Sequence, residues 1–492
     1  MDTINELMEQ SHVGFGTSGA RGLVTQMSDR ICYSYTLGFI QHLIQSKQLN
    51  GAKQIAIGGD LRPSTPTIMT ACSKAIVDSG FDVINCGLLA SPAIALYGIE
   101  QGIPTIMVTG SHIPDDRNGI KFNTPLGEIL KTDEQQIRTQ QIIIPDGLFD
   151  SDACFINDDY TMPDENLQAQ ENYIQRYLNF FPEQALAGLR IGIYQHSGVA
   201  RDQLYELTQK LGATAISLGR SEQFIPVDTE AIRSEDIKLA KQWVKEHQLD
   251  AIISTDGDAD RPLISDEQGN WFRGDVAGIL CAQYLAIDAI ATPVSCNTAL
   301  EKSQLFKQIE RTRIGSPYVI SGMIKLLTNP DIAKVGGYEA NGGFLLANDI
   351  ECEGRPLAKL PTRDAVIVLF GLIHQAKLKQ QSLSSLADSL PKRFTYSDRL
   401  KEFPQAKSQK ILQRYANNEA GKIKFQHDFA ELQSKVIAID NTDGVRFSMA
   451  NSEIIHFRPS GNAPEFRCYS EADNMQRAEE INQYCLNKLK EL

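Results

Sequence analysis

Residues 251–262 read A-I-I-S-T-D-G-D-A-D-R-P, a short apolar run that breaks into an acidic loop. Consecutive apolar residues suit a strand buried on both faces, and Leu249 to Ser254 reads as strand rather than helix. The pattern recurs at Gln54 to Ile57 and at Leu189 to Tyr194, each run ending in glycine or a polar loop and leading into a helix-like stretch. This alternation predicts an α/β fold with buried, mainly parallel strands. Ligands of such folds sit beyond the carboxyl ends of the strands, so the loops after these runs hold the functional candidates.

The chain of 492 residues is too long for one ordinary core, and at about 100 to 200 residues per domain it divides into three or four. Residues 145–166 are rich in Asp, Pro and Asn and precede a helical stretch around Glu171 to Phe181. Gly269 to Gly274 interrupts the next unit, and Ser382 to Pro391 reads as a linker. The expected domains are therefore 1–160, 161–272, 273–385 and 386–492.

A hydrophobic content of 42% with 22% charged residues fits a soluble, fully folded protein. The net charge of -13 argues against nucleic acid as a partner. Nine cysteines are scattered from Cys32 to Cys485 without a C-x-x-C pair, so buried reduced thiols are expected rather than a zinc or redox site. The amino-terminal residues lack the basic and apolar stretches of a signal peptide. Ala365 to Ile373, the longest apolar run, has nine residues, against roughly 20 for a membrane helix. No membrane partner and a cytoplasmic location are expected.

Four segments carry chemistry. T-G-S-H-I-P-D-D-R-N-G-I-K-F, Thr109 to Phe122, follows the apolar run Ile106 to Val108 and places Ser111 on a loop beside His112, with Lys121 ten residues on. A serine hydroxyl needs a base or a strong field to act as a nucleophile, and a plain polar turn closed by Gly119 also fits this segment. In S-T-D-G-D-A-D-R-P, Ser254 to Pro262, the carboxylates of Asp256, Asp258 and Asp260 repel one another unless a cation sits among them. Oxygen-only donors select a hard ion such as Mg²⁺ or Ca²⁺. H-F-R-P-S-G-N-A-P-E-F-R, His456 to Arg467, flanks a Ser-Gly-Asn turn with two arginines suited to a phosphate. G-G-Y-E-A-N-G-G, Gly336 to Gly343, offers Glu339 and Asn341 to sugar hydroxyls.

Two rival readings attach to the acidic loop. The EF-hand spacing extends to Glu267 at its twelfth position, but Arg261 stands where that loop requires glycine. A phosphatase of the haloacid dehalogenase type, with Asp256 as nucleophile, leaves Ser111 unemployed.

Taken in order, with G-T-S-G-A-R-G at Gly16 to Gly22, these segments resemble the α-D-phosphohexomutase superfamily over nearly the whole chain. The resemblance implies four domains around a central cleft, three of related α/β topology and a smaller C-terminal α+β unit. It assigns a phosphorylated nucleophile to Ser111 and Mg²⁺ ligation to Asp256, Asp258, Asp260 and that phosphoserine. Arg21, Lys121 and His112 would polarise or move protons. Glu339 and Asn341 would read sugar hydroxyls, while Arg458, Ser460, Gly461, Asn462 and Arg467 would hold the non-reacting phosphate. A hexose phosphate is the implied substrate and a hexose 1,6-bisphosphate the intermediate and activator, in a monomer or homodimer. The clamp should ride on a hinged last domain, because it must accept each end of the bisphosphate in turn.

Several positions depart from the superfamily pattern: Ile113 for Asn, Ala259 for Gly, Asn462-Ala463 for Thr-Glu, and Gly343 where several members carry His. The last leaves one acid/base group unassigned, and Gly343→His is expected to give no large gain in turnover. The wording of the sugar and phosphate loops is nearer to the phosphomannomutases than to the phosphoglucomutases or phosphoglucosamine mutases, so conversion of mannose 6-phosphate to mannose 1-phosphate is the expected reaction. A sugar-phosphate binder without catalysis is the alternative of a different class.

Overall fold

The computed structural model describes residues 2–16, 19–157, 159–460 and 464–492. The apolar runs become strands Gln54–Gly59, Arg190–Tyr194 and Ala251–Thr255, buried along nearly their whole length. Buried β-branched residues such as Ile191, Ile193, Ile252 and Ile253 pack both faces of the sheet, as expected of strands covered by helices on each side.

Three successive sheets repeat one topology. Strand Gln54–Gly59 lies between Asp82–Leu88 and Thr105–Val108, both parallel to it, and Arg117–Thr124 then returns antiparallel to Thr105–Val108. Arg190–Tyr194 is likewise flanked by Thr214–Leu218 and Ala251–Thr255, followed by antiparallel Pro262–Ser265. Ala289–Pro293 is flanked by Gln308–Thr312 and Val335–Tyr338, followed by antiparallel Phe344–Leu346. Parallel pairing therefore holds for each central trio but not for the strands added to it. A tight return between the third and fourth strands creates one hairpin loop per sheet, and these three loops are the Ser111, acidic and sugar segments.

The fourth sheet, Phe394–Leu400, Phe466–Ala472, Ile454–Pro459, Val445–Met449 and Val436–Asp440, is antiparallel throughout. It packs under helices that include Met475–Glu491 and has its own apolar core from Leu400 to Leu489. The largest core, by contrast, is continuous from Ala56 to Leu390 across the first three sheets.

The apolar run at Ala365 is helix Ala365–Leu378, buried along most of its length and packed against helix Gly274–Tyr284. Asp364 caps it by accepting from Val366 N at 3.1 Å, and it also accepts the hydroxyls of Tyr173 and Tyr177. No helix among the described residues is long and apolar enough to cross a membrane. All nine cysteines are free, with Cys154 alone exposed.

The linker expected at Ser382–Pro391 is instead helix Leu383–Asp388. Leu383, Leu386 and Leu390 are buried in the shared core, a spacing of three and four that the polar serines between them disguise in the sequence. Glu267 accepts from the Ser384 hydroxyl and, at 3.3 Å, from its backbone N–H. It is thus a tether for this helix and not the last ligand of a calcium loop.

Candidate active site

The Ser111 loop is held from beneath by two residues outside the segments singled out in the sequence. Asp60, at the end of Gln54–Gly59, accepts from Thr65 Oγ1 at 2.8 Å, Thr109 Oγ1 at 2.7 Å and Arg62 Nη1 at 2.5 Å. Arg62, 1% exposed, donates from Nη2 to the carbonyls of Ser111 at 3.1 Å and of Ile113, and from Nε to that of Arg117. Phe224 covers its guanidinium at 4.1 Å. Ser111 itself adopts φ 58°, a left-handed conformation that a serine occupies only when its surroundings enforce it. Thr109 Oγ1 accepts from Ser111 N at 2.7 Å, which completes the constraint.

Ser111 Oγ donates to Asp256 Oδ2 at 2.6 Å, and both residues are fully buried. The acidic loop approaches this closely because residue 257 is glycine: a Cβ there would stand 2.6 Å from the Ser111 carbonyl. One oxygen each from Asp256, Asp258 and Asp260 lies within 4.8 Å of the others. Lys121 Nζ bonds Asp258 Oδ2 at 2.5 Å and Asp260 Oδ2 at 2.7 Å. Ser91, at the start of helix Ser91–Gln101, donates to Asp258 Oδ2 at 2.5 Å. Asp258 Oδ1 and Asp260 Oδ1 remain buried with no hydrogen-bond donor. Two buried carboxylate oxygens without donors, set among three acids, fit a metal ion bound by oxygen.

The electrostatics follow from this crowding. Burial, with the charges of Asp258 and Asp260, drives the Asp256 carboxyl well above the usual range. Burial acts against the Lys121 charge, but Asp258 and Asp260 outweigh it and hold its pKa above the ordinary value. His112, whose Nδ1 is 3.5 Å from Ser111 Oγ, is kept neutral by burial and by the nearby Arg261 and Arg21. Burial and Arg261 lower Arg21 to about 10, which leaves it charged at neutral pH.

Above these groups lies a cleft of about 390 Å³ whose wall includes Arg21, His112, Arg261, Glu339, Asn341, Arg458 and Arg467. It also includes Asp228 and Glu230 from the segment between the second sheet's strands. Glu339 Oε2 accepts from Arg363 Nη1 at 2.9 Å. Asn341 Oδ1 accepts from Gly343 N at 2.9 Å, so that oxygen shapes the sugar loop.

On the opposite wall, Arg458 and Arg467 face each other across adjacent strands, and Arg399 faces Arg467 from the other side. Like charges opposite one another destabilise a sheet unless an anion offsets them. Glu465 partly does so, at 3.0 Å from Arg399 Nε and 3.3 Å from Arg467 Nη2. Arg458 Nε stands 2.8 Å from Asp443 Oδ2, yet its N–H has no aligned acceptor. Ser460 is buried at the end of strand Ile454–Pro459, with its N–H bonded to the Glu465 carbonyl at 2.8 Å. Gly461 and Asn462 lie outside the described residues.

Three copies of one α/β sheet, each with its hairpin loop turned to a common cleft, and a fourth sheet bearing a row of arginines define a phosphohexomutase architecture. Signatures described as phosphoglucomutase/phosphomannomutase, alpha/beta/alpha domains I, II and III match residues 12–142, 171–269 and 273–394. A phosphomannomutase of Salmonella muenchen is 42% identical over 489 residues, 99% of this chain and 97% of its own length. A phosphomannomutase of Sinorhizobium fredii is 40% identical over 469 residues, 95% of this chain and 96% of its own. A solved phosphoglucomutase/phosphomannomutase family protein from Burkholderia thailandensis superposes with a TM-score of 0.72 at 17% identity, over 96% of this chain and 97% of that one, a likeness of fold. The chain belongs to the phosphoglucomutase/phosphomannomutase family, isomerases that move a phosphoryl group within a hexose phosphate.

Proposed function

We propose that the chain interconverts mannose 6-phosphate and mannose 1-phosphate in the cytoplasm, by way of a phosphoryl group on Ser111 and a hexose 1,6-bisphosphate that also serves as activator. The observation that supports it best is the placement of Ser111 against the acidic cluster, Oγ 2.6 Å from Asp256 Oδ2, buried next to a cleft whose lining includes its neighbour His112 and the arginines Arg399, Arg458 and Arg467. A protein that only bound sugar phosphate would have no use for a serine forced into this position. Relatives named phosphomannomutase, at 42% and 40% identity, support mannose as the sugar.

The domains are taken as 1–160, 161–272, 273–385 and 386–492, one main sheet in each. Asp256, Asp258 and Asp260, with the phosphorylated Ser111, would hold Mg²⁺, which would offset charge on the oxygens of the transferring group. Arg458 and Arg467, with Ser460, Gly461 and Asn462, grip the phosphate already on the sugar. Glu339 and Asn341 receive the hydroxyls.

The free hydroxyl of the sugar attacks phosphorus; the bond from phosphorus to Ser111 Oγ breaks as the bond to the sugar oxygen forms. The proton of that hydroxyl ends on Ser111 Oγ, and His112 stands where it can relay it, neutral and beside Oγ. Lys121, committed to two aspartates, and Arg21 contribute fixed positive charge rather than the proton. The bisphosphate then turns over, its other phosphate returns to Ser111, and the enzyme is phosphorylated again. Closure of the last domain keeps water from the phosphoserine.

A coupled assay on mannose, glucose and glucosamine phosphates in parallel tests this. Mannose phosphate is expected to give the highest kcat/KM, with glucose phosphate second. A preference for glucosamine phosphate would overturn the sugar assignment; release of free phosphate, or no reaction at all, would overturn the mutase.

A further inference from the structure

We propose that Arg363 is the positioning residue that locks the acidic loop to the sugar loop, and that position 343 is glycine because the Arg363 stem fills the space a side chain there would need. The proposal rests on Glu339 being the group that receives the sugar.

Arg363 lies on strand Leu360–Asp364, which pairs with Phe344–Leu346 at the exit of the sugar loop. It is 3% exposed. Its Nε and Nη2 both bond Asp260 Oδ2, at 3.0 and 2.8 Å, while Nη1 bonds Glu339 Oε2 at 2.9 Å. A planar fork reaches two carboxylates on different loops in fixed geometry, which an ammonium cannot reproduce. One oxygen of Glu339 is thereby tied, and its orientation relative to the acidic loop is set.

A Cβ on residue 343 would stand 2.6 Å from both Cδ and Cγ of Arg363 and 2.8 Å from its Cβ. These are stem atoms, not the flexible tip, so they cannot give way without withdrawing the guanidinium from Asp260 and Glu339. The position left open by Gly343 is thus occupied from the neighbouring strand. A histidine introduced there would expel Arg363, and Gly343→His should lower turnover rather than leave it unchanged.

The test is a double-mutant cycle of Gly343→Ala and Arg363→Gly, which removes every Arg363 atom that the new methyl would meet, read by kcat/KM for hexose phosphate, by inhibition with inorganic phosphate and by melting temperature. Each single variant should lose about ten-fold or more in kcat/KM, and the double should fall within about two-fold of Arg363→Gly, because both changes remove the same lock. Inhibition by inorganic phosphate, which reports on the arginine row of the last domain, should move less than about two-fold. Losses that multiply in the double variant, a Gly343→Ala enzyme at wild-type activity, or phosphate inhibition lost in parallel with kcat/KM would each overturn the proposal. Arg363→Lys keeps the stem, so Gly343→Ala should remain harmful in that background, and it should itself lose about five-fold or more in kcat. Wild-type kcat in Arg363→Lys would refute the lock even if Arg363→Gly fails to fold. A wild-type protein inactive on every hexose phosphate would refute the proposed function alone, since the melting-temperature cycle still reports whether residues 343 and 363 share one space.

Discussion

The loops around Ser111 and the sheet that carries Arg458 are built on opposite plans. Ser111, Asp256, Asp258 and Asp260 are at most 1% exposed, and the three sheets behind the loops share one continuous apolar core. The side chains of Arg458 and Arg467 are 18% and 36% exposed, on a sheet with a core of its own. Polar contacts join that sheet to the rest: Glu471 accepts from Thr298 N at 3.1 Å and Asp443 from Ile314 N at 3.0 Å. On the proposed mechanism the reacting groups hold their alignment to a fraction of an ångström, whereas the arginine row accepts each end of a bisphosphate in turn. A shared core serves the first demand, and hydrogen bonds that can be exchanged for water serve the second.

Changing one residue on each side should separate the two plans. Asp258→Asn should lower kcat about 10²- to 10³-fold with a smaller change in KM, since its charge acts on the transferring group. Steady-state kinetics with and without chelator would check this; an effect confined to KM would place Asp258 in binding. Arg458→Ala should do the reverse, raising KM about 10- to 100-fold with kcat within a few-fold, because a phosphate contact made in both ground and transition states is uniform binding.

Acid should weaken both regions. His196, bonded to the Thr255 carbonyl in the second sheet's unit, and His456, bonded to that of Asp443 in the clamp unit, are both lowered to about 4 by burial. Their folded pKa lies below the unfolded value, so the unfolded chain takes up protons first. Stability is complete above about pH 6.5 and lost as pH falls toward 4, by about 3 kcal/mol at most for each histidine. Denaturant midpoints from pH 7 to pH 4.5 would show it, and His196→Gln should flatten the profile.

The smallest effect is expected at Ala259, which sits in the acidic loop at φ 60°. Ala259→Gly relieves about 1 to 2 kcal/mol of backbone strain but loses a buried methyl, about 0.8 kcal/mol, and gains unfolded-state freedom of about 0.4 to 1 kcal/mol. These nearly cancel, so thermal unfolding should change by less than about 1 kcal/mol. This balance accounts for an alanine in place of the glycine that resembles the family pattern.

The sequence disclosed the groups that chemistry crowds into one loop: Ser111 with His112, the alternating aspartates, the arginines on either side of a turn. It did not disclose their supports. Arg62 reaches a carbonyl 49 residues away, and Arg363 reaches Asp260 across 103. Nothing local marks a buried arginine as a partner of a distant carboxylate, although Asp60-x-Arg62 directly after a buried strand was a usable sign. Arg399 became visible only through strand register, which pairs it with Arg467. The helix at Leu383 is hard to read from the sequence because it is only six residues long and its leucines are set among serines.

The central claim is that Ser111 is the phosphoryl carrier, and phosphosite mapping by mass spectrometry after incubation with hexose 1,6-bisphosphate tests it most directly. One phosphate per chain on Ser111, transferred to unlabelled hexose monophosphate on mixing and absent from Ser111→Ala, is the predicted result. Phosphate mapped to Asp256 or another residue, or full turnover by Ser111→Ala, would contradict it.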